Sequence, residues 1–157
     1  MGYEIERKFL IEGEPWIGHA GTAMFQCYLS RGRAGAPSVR LRIAGDQATL
    51  TLKGKASGFT RHEFEYPIPL AEAQAMIDAF PGLPAIGKTR YRIPFDRDLW
   101  EVDVFSAPHE GLAIAEIELK SENQKFPHPP WLGREVTSDP RFSNASLASA
   151  ALPLQAS

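Results

Sequence analysis

Tyr3-Glu4-Ile5-Glu6-Arg7-Lys8-Phe9-Leu10-Ile11 is the stretch on which the fold turns. Glu4, Glu6 and Lys8 stand two apart, so in a strand all three project from one face, because successive side chains point to opposite sides of the pleat. The same spacing returns in Arg40 with Arg42, Lys53 with Lys55, Arg61 with Glu63 and Glu65, Lys88 with Arg90 and Arg92, Glu101 with Asp103, and Glu116 with Glu118 and Lys120. The intervening positions are apolar: Val39, Leu41 and Ile43; Leu50 and Leu52; Phe64, Tyr66 and Ile68; Val102 and Val104; Ile117 and Leu119.

Working outward, alternation bounded by Gly, Pro and Asp predicts strands over Tyr3 to Ile11, Phe25 to Leu29, Ser38 to Ile43, Ala48 to Lys55, Arg61 to Ile68, Thr89 to Phe95, Leu99 to Phe105 and Leu112 to Lys120. Short turn segments such as Ala44-Gly45-Asp46, Ala56-Ser57-Gly58 and Pro94 to Arg97 suit hairpins between antiparallel neighbours. Leu70 to Phe80 carries Leu70, Ala73, Met76, Ile77 and Phe80 at helical spacing between Pro69 and Pro81-Gly82, a helix expected to cover a barrel face or end. After Lys120 the segment through Pro127, Pro129 and Pro130 sustains no regular structure, and Ser143 precedes a second short helix over Asn144 to Leu152. The chain reads as one mainly β domain over residues 1–157.

In a single strand, charges two apart are the ordinary mark of a solvated sheet face. Their recurrence along the chain leaves two arrangements. Either the charges face water and the apolar faces make the core of an open sheet, or the sheet closes with acids and bases facing one another around a lumen. Periodicity alone does not choose. Composition favours the closed barrel, because these positions use most of the 17 Lys and Arg residues and leave few for the rest of the surface. A charged lumen needs a chemical reason, since unpaired buried charge is costly. A polyanion with a metal supplies one: Arg and Lys surround phosphate oxygens, and carboxylates hold Mg²⁺ or Mn²⁺, hard cations that prefer oxygen ligands.

The formal charge of -2 argues against a general nucleic-acid-binding surface, so an anion site must be local. Cys27 stands alone, which precludes an intramolecular disulfide and fits a buried thiol. There is no apolar run long enough to cross a bilayer, and the start has neither a basic nor an apolar leader region, so no membrane is expected and the location is read as cytoplasmic. Gly2 does not make a myristoylation signal, because Glu6 stands where Ser or Thr is wanted. His19, His62, His109 and His128 lack ligand spacing and take surface or loop roles, while Trp16, Trp100 and Trp131 pack on barrel walls or ends. The apolar outer faces exceed what two short helices cover, which points to a possible homodimer.

Glu4-Ile5-Glu6-Arg7-Lys8 resembles the ExExK signature of the CYTH superfamily, the triphosphate tunnel metalloenzymes. The ordered series behind it carries the likeness: Val39-Arg40-Leu41-Arg42, Thr51-Leu52-Lys53-Gly54-Lys55, Arg61 through Glu65, Lys88-Thr89-Arg90-Tyr91-Arg92, Glu101-Val102-Asp103, Ala115-Glu116-Ile117-Glu118-Leu119, and Gly133-Arg134-Glu135-Val136-Thr137 before a terminal helix. The resemblance spans Met1 to about Leu147 and is to the short bacterial members. It implies a closed eight-stranded antiparallel barrel, with Glu4, Glu6, Glu116 and Glu118 as metal ligands for Mg²⁺ or Mn²⁺. Lys8, Arg40, Arg42, Lys53, Lys88 and Arg90 become the phosphate-binding residues, joined on the same faces by Lys55, Arg61 and Arg92. Lys8, Glu4, Glu6 and Lys88 stand closest to the chemistry, and Glu63, Glu65, Glu101, Asp103, Lys120 and Tyr28 are secondary candidates that balance charge or orient the others.

The activity this implies is metal-assisted hydrolysis of the terminal phosphate of inorganic tripolyphosphate or another triphosphate such as ATP. Two rivals are set beside it: an adenylate cyclase, for which no residues forming a nucleoside pocket can be named, and a module that binds polyphosphate or triphosphate without turnover.

Overall fold

A computed structural model of the chain describes residues 2–150. Its strands are β1 (Tyr3–Ile11), β2 (Gly21–Arg31), β3 (Ser38–Ala44), β4 (Gln47–Lys53), β5 (Thr60–Ile68), β6 (Ala85–Phe95), β7 (Asp98–Phe105), β8 (Ala113–Glu118) and β9 (Leu132–Glu135). The helices are α1 (Leu70–Ala79), a 3₁₀ turn at Pro140–Phe142, and α2 (Asn144–Ser149). All pairings are antiparallel, in the order β5-β4-β3-β2-β6-β7-β8-β1, and β1 returns to β5 to close a ring of eight with β9 appended. The closed barrel expected from composition is therefore the observed architecture.

Closure is uneven. Tyr3↔His62, Glu4↔Arg61 and Ile5↔Thr60 make the β1–β5 seam, after which β9 takes over that edge of β1 with Phe9↔Glu135 and Ile11↔Leu132. The backbone N–H of Lys8 donates to Thr137 Oγ1, and that of Val136 donates to Lys8 O, which carries the pairing past the end of β9. β9 was not legible in advance, because four residues directly after a proline-rich run give no alternation to read.

The lumen is polar along most of its length, while Ile86, Phe105 and Ile114, on the same strand faces as Lys88, Asp103 and Glu116, turn apolar side chains into one end; the other apolar faces point outward, where separate elements cover them. Cys27, Leu41 and Ala48, with Ile43, Leu50 and Ile68, pack under Ala73, Met76 and Ile77 of α1. Phe9, Trp100, Val102, Ala115, Ile117 and Leu119 are covered by Trp16, Phe126, Trp131 and Leu132, so the tryptophans do sit on the barrel wall. At one barrel end Ile86, Phe105, Leu112 and Ile114 meet Phe142 and Leu147. α2 thus seals part of that end. Tyr3, Phe64 and Tyr66 remain exposed on the outer face of β1 and β5.

Ser143 caps α2 as its sequence position suggests, its Oγ accepting from the Ser146 N–H at 3.1 Å. The helix ends at Ser149; the expected extension to Leu152 lies outside the described residues. Replacing Ser143 with Ala removes the acceptor for one helix-end N–H and is expected to cost about 1 kcal/mol, measured as a shifted urea midpoint with unchanged m-value. His109 is in a loop, as expected, yet it is fully buried, with Nε2 2.9 Å from Leu147 O.

Candidate functional site

Register decides which charges meet. Across neighbouring strands Lys8 stands opposite Glu116, Glu4 opposite Arg61, Lys53 opposite Glu63, Arg90 opposite Asp103 and Arg92 opposite Glu101. Opposite signs therefore alternate round the lumen. Two places break the rule: Glu6 faces Glu118, and Glu101 faces Glu116. Like charges directly opposite one another destabilise a sheet. These carboxylate pairs flank Lys8 and Arg90, in a cavity of about 220 Å³ that Glu4, Arg40, Arg42, Lys53, Glu63 and Glu65 also line.

The ion pairs are graded from the covered end of the lumen toward its middle. Lys88 Nζ donates to Asp103 Oδ2 at 2.7 Å, and Arg90 straddles the same carboxylate through Nε at 2.7 Å and Nη2 at 2.9 Å. Lys88 and Asp103 are fully buried, at the lumen end that α2 covers. Lys53 Nζ reaches Glu4 at 2.8 Å and Glu63 at 3.2 Å. Lys8 contacts Glu6 and Glu116 only at 3.8 Å each, and Arg90 Nη2 also lies 3.8 Å from Glu116. Those looser contacts leave the central groups able to accept other partners. Arg40 Nη2 donates to Thr51 Oγ1 at 3.3 Å and to Glu65 at 3.5 Å, while its buried Nε has no acceptor among the described residues. A buried N–H of this kind is costly unless something accepts from it, and a phosphate oxygen is suited to do so.

The protonation states follow. Burial raises the Glu6 carboxyl to about 7, and Glu116 adds to the rise against the pull of Lys8. Burial acts the same way on Glu116, but Lys8, Arg90 and Lys88 outweigh it and hold that carboxyl below the usual range. Burial brings Arg42 down to about 10, with Arg40 and Arg90 adding to the effect, and Lys88 down to about 8 against the opposing pull of Asp103. Among the described residues no three acidic, His or Cys side chains converge into a preassembled ion cage. The donor chemistry nevertheless fits a hard divalent cation. Glu6 faces Glu118, Glu4 lines the same cavity, and the reluctance of Glu6 to ionise is what a nearby cation relieves.

Most of the expected residues come together. Glu4, Glu6, Lys8, Arg40, Arg42, Lys53, Glu63, Glu65, Arg90, Arg92, Glu101, Glu116 and Glu118 line the one cavity. Lys55 and Arg61 instead line an adjoining cleft of about 840 Å³, which shares Glu6, Lys8 and Lys53 with the lumen. β4 ends at Lys53, so Lys55 lies outside the strand, in the segment that leads to the turn at Gly58 and Phe59. Lys120 is exposed beyond Glu118, where β8 ends. Tyr28 is buried on β2 and lines neither cavity, and Lys88 and Asp103, on the same strand faces as Arg90 and Glu101, are buried at the lumen end beneath Asn144 and line neither cavity. Sequence reasoning missed Gln26, Thr51 and Asn144. Gln26 and Thr51 share the period-two spacing with Tyr28 and Lys53, so alternation offered a signal that charge did not.

Comparison with known proteins gives a consistent result. The family model described as the CYTH domain matches residues 2–150. A protein of Acetivibrio thermocellus named inorganic triphosphatase is 43% identical over 148 residues, covering 94% of each chain. One of Nitrosomonas europaea with the same name is 37% identical over 149 residues, covering 92% of this chain and 96% of that one. Among solved structures, the inorganic triphosphatase NE1496 superposes with a TM-score of 0.68 at 33% identity, over 96% of this chain and 99% of that one. A putative adenylate cyclase from Bacillus halodurans shares the fold, with a TM-score of 0.62 at 20% identity over 78% of this chain and 84% of that one.

Proposed function

The chain belongs to the CYTH family, and from that premise we propose that it is a divalent-metal-dependent inorganic triphosphatase, cleaving the terminal anhydride of tripolyphosphate with water to give pyrophosphate and orthophosphate. The observation that carries the reading is a lumen in which cations from several strands face paired carboxylates, so that a phosphate chain and its cation compensate one another's charge.

In this reading Arg40, Arg42, Lys53, Lys8 and Arg90 grip the phosphate oxygens, and their fixed positions stabilise charge on the departing pyrophosphate without reorganisation. Arg92, more exposed, steers the anion at the rim. Glu4, Glu6, Glu116 and Glu118 would hold Mg²⁺ or Mn²⁺, with Glu63, Glu65 and Glu101 keeping the cations in place. When bound, the ion supplies neutralisation of the phosphate chain and polarisation of its P–O bonds. Asp103, buried at the closed end of the lumen, fixes Lys88 and Arg90.

The test is incubation with tripolyphosphate or ATP and Mg²⁺ or Mn²⁺, followed by assay of orthophosphate, pyrophosphate and cyclic AMP. Metal-dependent orthophosphate release from tripolyphosphate is expected; cyclic AMP, or binding without product, would sink the reading. Replacing Arg40 with Ala removes a charged grip from a buried position and is expected to weaken tripolyphosphate binding by about 1.5–3 kcal/mol, a rise in KM of roughly ten- to hundredfold. An unchanged KM takes Arg40 out of the site.

A further inference from the structure

Two neutral amides occupy a place in the lumen wall where carboxylates are the rule. Gln26 on β2 is fully buried, and its Oε1 accepts from Arg42 Nε at 2.6 Å. Its Nε2 donates at 3.2 Å to Asn144 Oδ1, the same oxygen that accepts from Lys88 Nζ at 2.9 Å. The orientation of Gln26 is set from both sides. Turned over, its amide would place an NH₂ against the Arg42 donor and a carbonyl against the Asn144 carbonyl, losing both bonds.

The consequence is electrostatic. Lys53 and Arg90 are held by carboxylates that spend part of their charge, whereas Arg42 forms no ion pair among the described residues and is held by a neutral acceptor. Its charge remains whole for an anion in the cavity it lines. Asn144 opens α2, which Leu147 and Phe142 anchor in the apolar cluster at the barrel end. The chain of contacts Arg42–Gln26–Asn144–Lys88 therefore joins two lumen-side cations to the seat of the terminal helix.

We propose that Gln26 and Asn144 are positioning residues for the triphosphate. Together they form an uncharged relay that fixes Arg42 and Lys88 in register and makes phosphate binding depend on the seating of α2. This rests on the triphosphatase reading, and it assigns the relay a role in affinity for inorganic tripolyphosphate. A cation displaced by about 1 Å costs an enzyme heavily, so loosening either end of the relay is felt at the substrate.

The experiment compares wild type, Gln26→Ala, Asn144→Ala, the double variant and Asn144→Asp, with kcat and KM for tripolyphosphate under saturating Mg²⁺ and Tm for each. Each alanine variant is expected to lose about tenfold in kcat/KM, mostly through KM, and the double variant about tenfold rather than a hundredfold, because both changes cut one connection. Asn144→Asp keeps an acceptor for both donors but sets a negative charge in the cavity lining, so it is expected to recover Tm to the wild-type value while KM stays raised, which separates seating of the helix from the neutrality of the relay. Single variants within twofold of wild type, losses that multiply in the double variant, or an aspartate variant with the wild-type KM overturn the relay. If the wild type releases no orthophosphate, the triphosphatase reading falls by itself. The same cycle is then read in calorimetric Kd for inorganic tripolyphosphate, where non-additive losses uphold the relay and additive losses, or no binding by wild type, end it.

Discussion

Asp103→Ala loses about 3–5 kcal/mol of folding stability, the range expected when one partner of a buried ion network is removed. Its carboxylate has no exposed surface and takes three hydrogen bonds, one from Lys88 and two from Arg90. Without it Lys88, also without exposed side chain, keeps only Asn144 as an acceptor among the described residues, and a cation in that position must be neutralised or hydrated at the expense of the fold. For a domain of this size such a loss lowers Tm by roughly 6–20 °C, readily seen by calorimetry. A change under about 2 °C shows that the network contributes nothing net. The pH dependence has a definite sign. Burial works to raise the Asp103 carboxyl, but Lys88 and Arg90 outweigh it and hold it below the ordinary aspartate value. Its stabilisation is therefore present above a pH of about 4 and is lost as the pH falls through the depressed value.

Glu116→Gln has the opposite profile, a large loss of turnover with a small loss of stability. The amide keeps the shape of the side chain while removing the charge that lies 3.8 Å from both Lys8 and Arg90. Neither cation is stranded: Lys8 still has Glu6, and Arg90 keeps Asp103 and Glu101. What is lost is a carboxylate held ionised by its surroundings, facing Glu101 across the strands where a divalent ion is proposed to sit. Removing one fixed charge of this kind from a reacting site costs about a hundred- to a thousandfold in kcat. The check is steady-state hydrolysis of tripolyphosphate up to saturating Mg²⁺, beside a thermal melt; wild-type turnover at high metal rules Glu116 out as a ligand.

The strands were legible because period-two alternation survives wherever charge and aliphatic bulk take turns, as from Glu4 to Ile11 or Arg40 to Ile43. It faded where side chains are small. β2 was expected only over Phe25 to Leu29 but begins at Gly21, since Gly21-Thr22-Ala23 shows no contrast between faces. Closure of the ring was not in the periodicity at all; it came from the scarcity of cations elsewhere, and the pairing of Tyr3 with His62 bears it out. At the site, charge was a good guide to the lining but a poor one to depth. Lys88 and Arg90 carry the same formal charge two residues apart on one strand face, yet one is sealed beneath Asn144 at the end of the lumen and the other reaches the cavity. Gln26 and Asn144 were missed because an uncharged amide declares its role only through the partners that folding brings to it.

The apolar residues that hold this fold lie in separate clusters, under α1, under the β9 side, and at the end closed by α2, with a polar bore between them. A packing defect in one cluster therefore has no continuous hydrocarbon medium through which to reach the next. Changes of side-chain volume beneath different coverings should sum as independent increments. The coverings at α1 and on the β9 side can each be remodelled on its own while the charged bore keeps its dimensions, much as panels on a frame are exchanged without moving the frame.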